Sequence, residues 1–74
     1  MIELTQASRD ALAPSSDTPE NMRPATSYAI SGTDPEGYTR VVTRNVTSHD
    51  HATTTINHLA VTGWMAISLY AEQF

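Results

Sequence analysis

The fold is decided by residues 27–46, whose sequence is SYAISGTDPEGYTRVVTRNV. Tyr28 and Ile30 alternate with small residues at the period of a half-buried strand. The segment DPEG, residues 34–37, favours a type I turn closed by a left-handed glycine. Residues 38–46 are rich in threonine and valine, as is typical of strands. The stretch therefore predicts a β-hairpin.

A helix and a third strand are predicted after the hairpin. Ser48 is a favourable helix N-cap, and the apolar residues that follow repeat at helical spacing. Gly63 then stops the helix, and Trp64 follows where a Schellman motif favours a hydrophobic contact. Residues 64–70 alternate again, which indicates the third strand.

These elements predict an α+β fold of the order β-β-α-β, a split β-α-β unit. A right-handed crossover places the third strand parallel to the second, and if the first strand lies between them the order is 2-1-3. One helix covers only one face of such a sheet. The predicted core consists of six residues: Ile30, Ile56, Leu59, Met65, Ile67 and Leu69. On the uncovered face we expect Trp64 and Tyr70, with Tyr28 or Tyr38 beside them.

Residues 1–26 differ in composition from the 27–74 domain. Thr5 is a candidate N-cap for a short helix, whereas residues 13–26 contain three prolines that deny backbone donors. We predict a flexible or short helical N-terminal arm followed by an extended or disordered linker. The alternative is that the arm folds across the uncovered sheet face, anchored by Ile2, Leu4 and Met22.

Composition and charge limit the partners. The 74-residue chain has no lysine and no cysteine, and its formal net charge is −4. Residues 1–37 hold six acidic residues against two arginines, and residues 38–74 hold two of each, so the acidity is N-terminal. Direct nucleic-acid binding, which needs many cations, is disfavoured. No signal peptide or membrane-spanning stretch is indicated, so we expect a cytoplasmic protein with no membrane partner.

No residue pattern predicts catalysis, a cofactor or a metal ion. His49, His51 and His58 lie near one helix, but the last two are too far apart to chelate one ion. No nucleophile elbow or glycine-rich phosphate loop is present, so we predict that the chain is not an enzyme. The alternative is a small ligand- or metal-sensing domain that uses these histidines and the groove between helix and sheet.

Aromatic residues are the candidate partner-binding residues, because Trp and Tyr are enriched at interface hot spots. They are Trp64, Tyr70, Tyr28 and Tyr38, and a core role is the competing interpretation. The acidic turn residues Asp34 and Glu36 complete the candidate set. We expect a protein–protein interaction module, with a homodimer formed through the uncovered face or a strand edge.

The composition suggests a family resemblance. With four arginines, no lysine, many alanines and threonines and a small acidic chain, the sequence resembles accessory proteins of high-GC phages or mobile elements, including anti-CRISPR inhibitors. The resemblance implies a cytoplasmic protein of the host cell that binds and occludes a host protein, with Asp34, Glu36 and the acidic arm engaging a basic channel. A further alternative is a structural subunit of a larger assembly, such as a virion.

Overall fold

The computed structural model describes residues 3–72 and confirms the α+β class. A three-stranded sheet has the order β2-β1-β3, and both outer strands run antiparallel to β1. The predicted strand order and the helical crossover are therefore confirmed. The elements are α1 Gln6–Ala11, a 3-10 turn Pro19–Asn21, β1 Tyr28–Thr33, β2 Thr39–Val46, α2 His49–Val61 and β3 Met65–Ala71.

The hairpin turn is built around Asp34. The Gly37 N–H donates to the Asp34 carbonyl oxygen at 2.9 Å, and Gly37 has the left-handed φ of 95° that the sequence predicts. The Asp34 carboxylate accepts hydrogen bonds from the backbone N–H groups of Glu36 and Tyr38, at 3.0 and 2.9 Å. These bonds fix the turn from inside.

Both ends of α2 follow the sequence prediction. The Ser48 hydroxyl accepts from the His51 N–H at 3.1 Å, which satisfies one of the free donors of the first turn. At the other end, the Trp64 N–H donates to the Leu59 carbonyl at 3.0 Å, and Gly63 has a φ of 95°. This pairing is the Schellman motif.

The core lies between the sheet and α2, and most of its predicted members are buried. Tyr28 also belongs to it, with 0% of its surface exposed. Met65 does not, because 68% of its surface is exposed. The buried hydrophobic cluster is Leu4, Tyr28, Ile30, Val46, Ala52, Ile56, Leu59, Ile67 and Leu69.

A bulge in β3 explains the error at Met65. Ser31 pairs with Ser68 and Thr33 pairs with Met65, so β3 carries one extra residue over this interval. Ala66, within it, has a left-handed φ of 52°. An extra residue inverts the side-chain alternation on one side of the bulge. Met65 therefore turns to the solvent face.

The N-terminal segment packs against the domain, in contrast to the predicted mobile linker. Residues 12–17, the N-terminal strap, run beside β3: the N–H groups of Ala13 and Asp17 donate to the carbonyls of Ile67 and Leu69, at 2.9 and 3.1 Å. The prolines fit because a strap that bonds only intermittently leaves positions where no donor is needed.

The preceding helix α1 is tied to α2 through Asn57. The Asn57 side-chain amide donates to the Glu3 carbonyl and accepts from the Thr5 N–H, at 3.2 and 3.3 Å. Thr5 also caps α1 as predicted, accepting from the Ser8 N–H at 3.1 Å. Leu4 and Met22 pack on the α2 side of the sheet and not across its uncovered face. The predicted anchor Ile2 lies outside the described residues.

Candidate interaction surface

The sheet has one face that no helix of the described residues covers. The two helices and the 3-10 turn all pack on the core side, where the buried cluster lies. The strand register places three rows of residues on the other side, which we call the open face. The register pairs Ala29 with Tyr70, Ser31 with Val41 and Ser68, and Thr33 with Thr39 and Met65. Arg44 lies in the bulged part of β2 next to Thr43, the partner of Ile30, and alternation places it beside the first row.

The open face has large apolar side chains on its two outer strands and only small side chains on the central strand β1. Met65, Val41 and Tyr70 have 68%, 49% and 39% of their surface exposed. The central strand carries only small side chains there, and the hydroxyls of Thr33 and Thr39 bond each other at 3.0 Å across two strands. The result is a shallow trough over Ser31 and Thr33, whereas Ala29 at the other end of the strand is fully buried.

The charges beside the open face are arranged asymmetrically. Arg40 pairs with Asp34 at 3.0 Å, and Arg44 lies 4.0 Å from Glu72. Both carboxylates are almost buried, with 10% and 6% of their side chains exposed, whereas both guanidinium groups remain mostly in solvent. The β2 rim of the open face therefore presents the positive charge of Arg44, although the chain as a whole is acidic. Arg40 pairs with Gly32 and lies on the core side of the sheet.

The two edges of the sheet are protected against the addition of a further strand, whereas the open face is not. The strap lies along the outer edge of β3. β2 has two register shifts against β1, and Asn45 within it has a left-handed φ of 58°. Bulges twist an edge strand and hinder the addition of a further strand. Among the described residues, the open face is thus the least protected apolar surface of the sheet.

Two of the predicted partner-binding aromatics lie on the wrong side of the sheet for that role. Tyr28 is fully buried, and its hydroxyl accepts from the Arg23 N–H at 2.9 Å. Trp64 packs against the core because the β3 bulge reverses its direction, and its ring lies over Gly32. A Cβ at Gly32 would approach the indole Cε3 to 3.1 Å, so this contact needs glycine. The placement of these two residues on the uncovered face was wrong.

The remaining candidates divide between face and turn. Tyr70 lies on the open face as predicted. Tyr38 is exposed but lies beside the hairpin turn, at the opposite end of β1 from Tyr70. Asp34 uses its carboxylate to close the turn and to pair with Arg40, whereas Glu36 is exposed in the turn. The structure therefore brings only Tyr70 to the open face.

Sequence reasoning missed Val41 and Met65 as surface residues. Val41 lies in a valine- and threonine-rich run without clear alternation, so its face was not readable from the pattern. Met65 fits the core alternation in the sequence, and only the bulge in β3 places it on the other face. An adjacent Val41-Val42 pair is itself a weak signal, because one of two neighbouring strand residues must face away from the core.

The groove predicted between helix and sheet is filled by the core cluster. A cavity of about 640 Å³ lies instead between α1 and the strap, with Leu4 and Leu12 among its lining residues and Arg9 and Glu20 among its charged ones. A hydrogen bond from its own backbone N–H is the main cause that lowers the pKa of Glu20 below its ordinary value. None of the three histidines lines this cavity.

The histidines lie along α2. His49 Nδ1 is 3.5 Å from an Asp50 carboxylate oxygen, while His51 and His58 are exposed. Within residues 3–72, no three His, Asp or Glu side chains gather in a way that fits a metal ion.

Comparison with known proteins returned no similar protein: no family, no curated protein and no solved structure matches the chain. Between residues 3 and 72, neither helix has the length and apolar character needed to cross a membrane.

Proposed function

We propose that the chain is a small, non-catalytic protein-interaction module whose binding surface is the open face. One observation carries this proposal: three large apolar side chains, Val41, Met65 and Tyr70, are exposed together on a sheet face that lacks a covering layer. A sheet normally buries its apolar face against another element, and exposed apolar patches mark interaction sites.

The face also has the rigidity that binding requires. Its side chains stand on a three-stranded sheet whose other side is packed against α2. Side chains held in place on a rigid element lose less conformational entropy on binding than side chains of a mobile loop. Tyr70 adds a large amphipathic ring of the type enriched at hot spots.

The expectation of a phage or mobile-element protein that occludes a host protein is a finer form of this proposal. On this view the occluding surface is the open face with its positive β2 rim. The acidic turn is less suited to that role, because the Asp34 carboxylate already has three partners.

A random-peptide library tests the proposal without a known partner. The purified chain is immobilised at low density, and selected peptides are measured against two matched variants, Val41→Asp on the open face and Val61→Asp at the end of α2. Both valines are exposed, and both changes add the same charge. We expect peptides that bind wild type and Val61→Asp but lose binding to Val41→Asp. Peptides that bind both variants equally would show that the open face is not the preferred surface.

A further inference from the structure

We propose that the open face is occupied by a second copy of this chain, in a two-fold dimer with the two sheets face to face. The inference rests on the proposed function and names the partner of that surface. It is carried by the register of the open-face residues, which makes the two rows that contain Val41 and Met65 complementary to themselves.

The complementarity follows from a two-fold axis that runs along β1 between the facing sheets. Such an axis places β2 of one copy over β3 of the other. Each row then lies over the same row of the second copy, with its β2 and β3 ends exchanged. Val41 then lies over Ser68 of the second copy, and Met65 lies over Thr39. Two of the three rows thus pair a large flank side chain with a small one, Arg44 and Tyr70 meet at the third, and the small residues of the central strand face each other at the axis. Interdigitation of this kind is what dense packing requires.

The other two-fold arrangement, with the axis across the strands, packs less well. It places β2 over β2, so that Val41 faces Val41 of the second copy and Tyr70 faces Met65. Large side chains then meet on both flanks, and the small residues between them, including Ser31, are left over a void. Voids of this kind lose contact energy. We therefore favour the axis along β1.

The charge distribution permits two acidic chains to meet in this way. Each copy has a net charge of −4, but Arg44 is the only one of the nine open-face residues with a formal charge. The acidic residues of α1, the strap and α2 lie on the core side of the sheet and would be on the outer surfaces of the dimer. In the favoured arrangement Arg44 meets Tyr70 of the second copy, where a guanidinium stacks favourably on the ring.

The area is sufficient for a weak specific dimer. Three strands about 4.8 Å apart and six residues at about 3.3 Å per residue give a flat footprint of roughly 300 Å². Two copies together cover roughly 600 Å² of flat footprint, and because side chains corrugate the surface the buried area is somewhat larger, within the range of weak interfaces below about 1,200 Å². A second layer also supplies what a short chain without disulfides lacks, a larger buried core.

The mass of the purified chain is the first test, measured by light scattering after size exclusion over loading concentrations from about 5 to about 500 µM. We expect a reversible change from monomer to dimer. Val41→Asp buries a carboxylate at the interface and should raise the dissociation constant at least about tenfold. Val61→Asp should leave it unchanged. A monomer at every concentration, or equal dimers of both variants, overturns the inference.

Single cysteines locate the axis, because the natural chain has none. Facing sheets lie about 10 Å apart, too far for a direct disulfide, so the test uses a short bifunctional thiol reagent: Ser31→Cys should form a covalent dimer, since the axis brings the two copies of residue 31 nearest to each other. Ser68→Cys should not, since the two copies of residue 68 lie on opposite flanks. Cross-linking through residue 68, or its absence at residue 31, overturns the favoured arrangement. If the chain is monomeric yet its peptide ligands need Val41, the second copy is wrong while the interaction surface stands.

Discussion

Replacement of Asp34 by alanine should destabilise the fold more than any other change in the hairpin turn. The carboxylate accepts two backbone hydrogen bonds, at 3.0 and 2.9 Å, and its side chain is 10% exposed. Each bond is worth about 1 kcal/mol net. The ion pair with Arg40, whose side chain is 59% exposed, adds no more than about 0.5 kcal/mol after screening. The expected total loss is about 2 to 3 kcal/mol.

Thermal unfolding followed by circular dichroism measures this loss. For a chain of this length, 1 kcal/mol corresponds to about 4–8 °C, so Asp34→Ala should lower Tm by roughly 10–20 °C. The neighbouring Glu36→Ala serves as the control. Glu36 is exposed, and its side chain makes no hydrogen bond to any of the described residues, so the free energy of unfolding should change by no more than about 0.5 kcal/mol. Arg40→Ala should cost only about 0.5 kcal/mol.

Two results would contradict this role of the Asp34 carboxylate. If Asp34→Ala melts within a few degrees of wild type, the turn does not depend on this carboxylate. If Glu36→Ala is equally damaging, the effect belongs to negative charge in the turn and not to the hydrogen bonds. In the first case Asp34 would again be a candidate partner-binding residue.

Three further changes test separate parts of the fold. Ala66→Gly should raise stability by about 0.5–1 kcal/mol in urea unfolding, because glycine removes the strain of a positive φ; a loss of stability contradicts the bulge. Gly32→Ala should cost about 1 kcal/mol and shift the emission of the single tryptophan, since the new Cβ presses on Trp64; unchanged emission contradicts that contact. Tyr28→Phe should cost about 1 kcal/mol, whereas the matched Tyr38→Phe should be neutral; equal effects would contradict the buried hydroxyl.

The parts of the fold that sequence predicted are those with local causes. The DPEG turn, the Ser48 cap and the Gly63 stop each depend on residues within one or two turns of the chain, and each is confirmed. The crossover rule predicted that β3 runs parallel to β2, and the antiparallel pairing of both strands with β1 confirms it.

The parts that sequence missed depend on distant contacts. The bulges hold Asn45 and Ala66 at positive φ, and no glycine marks the second of these positions. Proline-rich residues 13–26 gave the signal of a mobile linker because their partners, the carbonyls of β3, are more than fifty residues away. The open face was predicted as a surface, but its composition was wrong wherever a bulge changed the alternation.

The bulge in β3 places Trp64 in the core and Met65 on the open face, and two substitutions test whether the first supports folding and the second supports binding. Without it, Trp64 would lie on the open face and Met65 in the core. With it, the rigid indole closes the core over Gly32, while the flexible methionine is exposed on the open face. Methionine adapts well to interfaces, and a buried indole adds most where the core is small. Met65→Ser should therefore weaken dimerisation at nearly constant Tm, and Trp64→Leu should lower Tm while the folded fraction still dimerises. The reverse pattern would show that Met65 supports the core and Trp64 the interface.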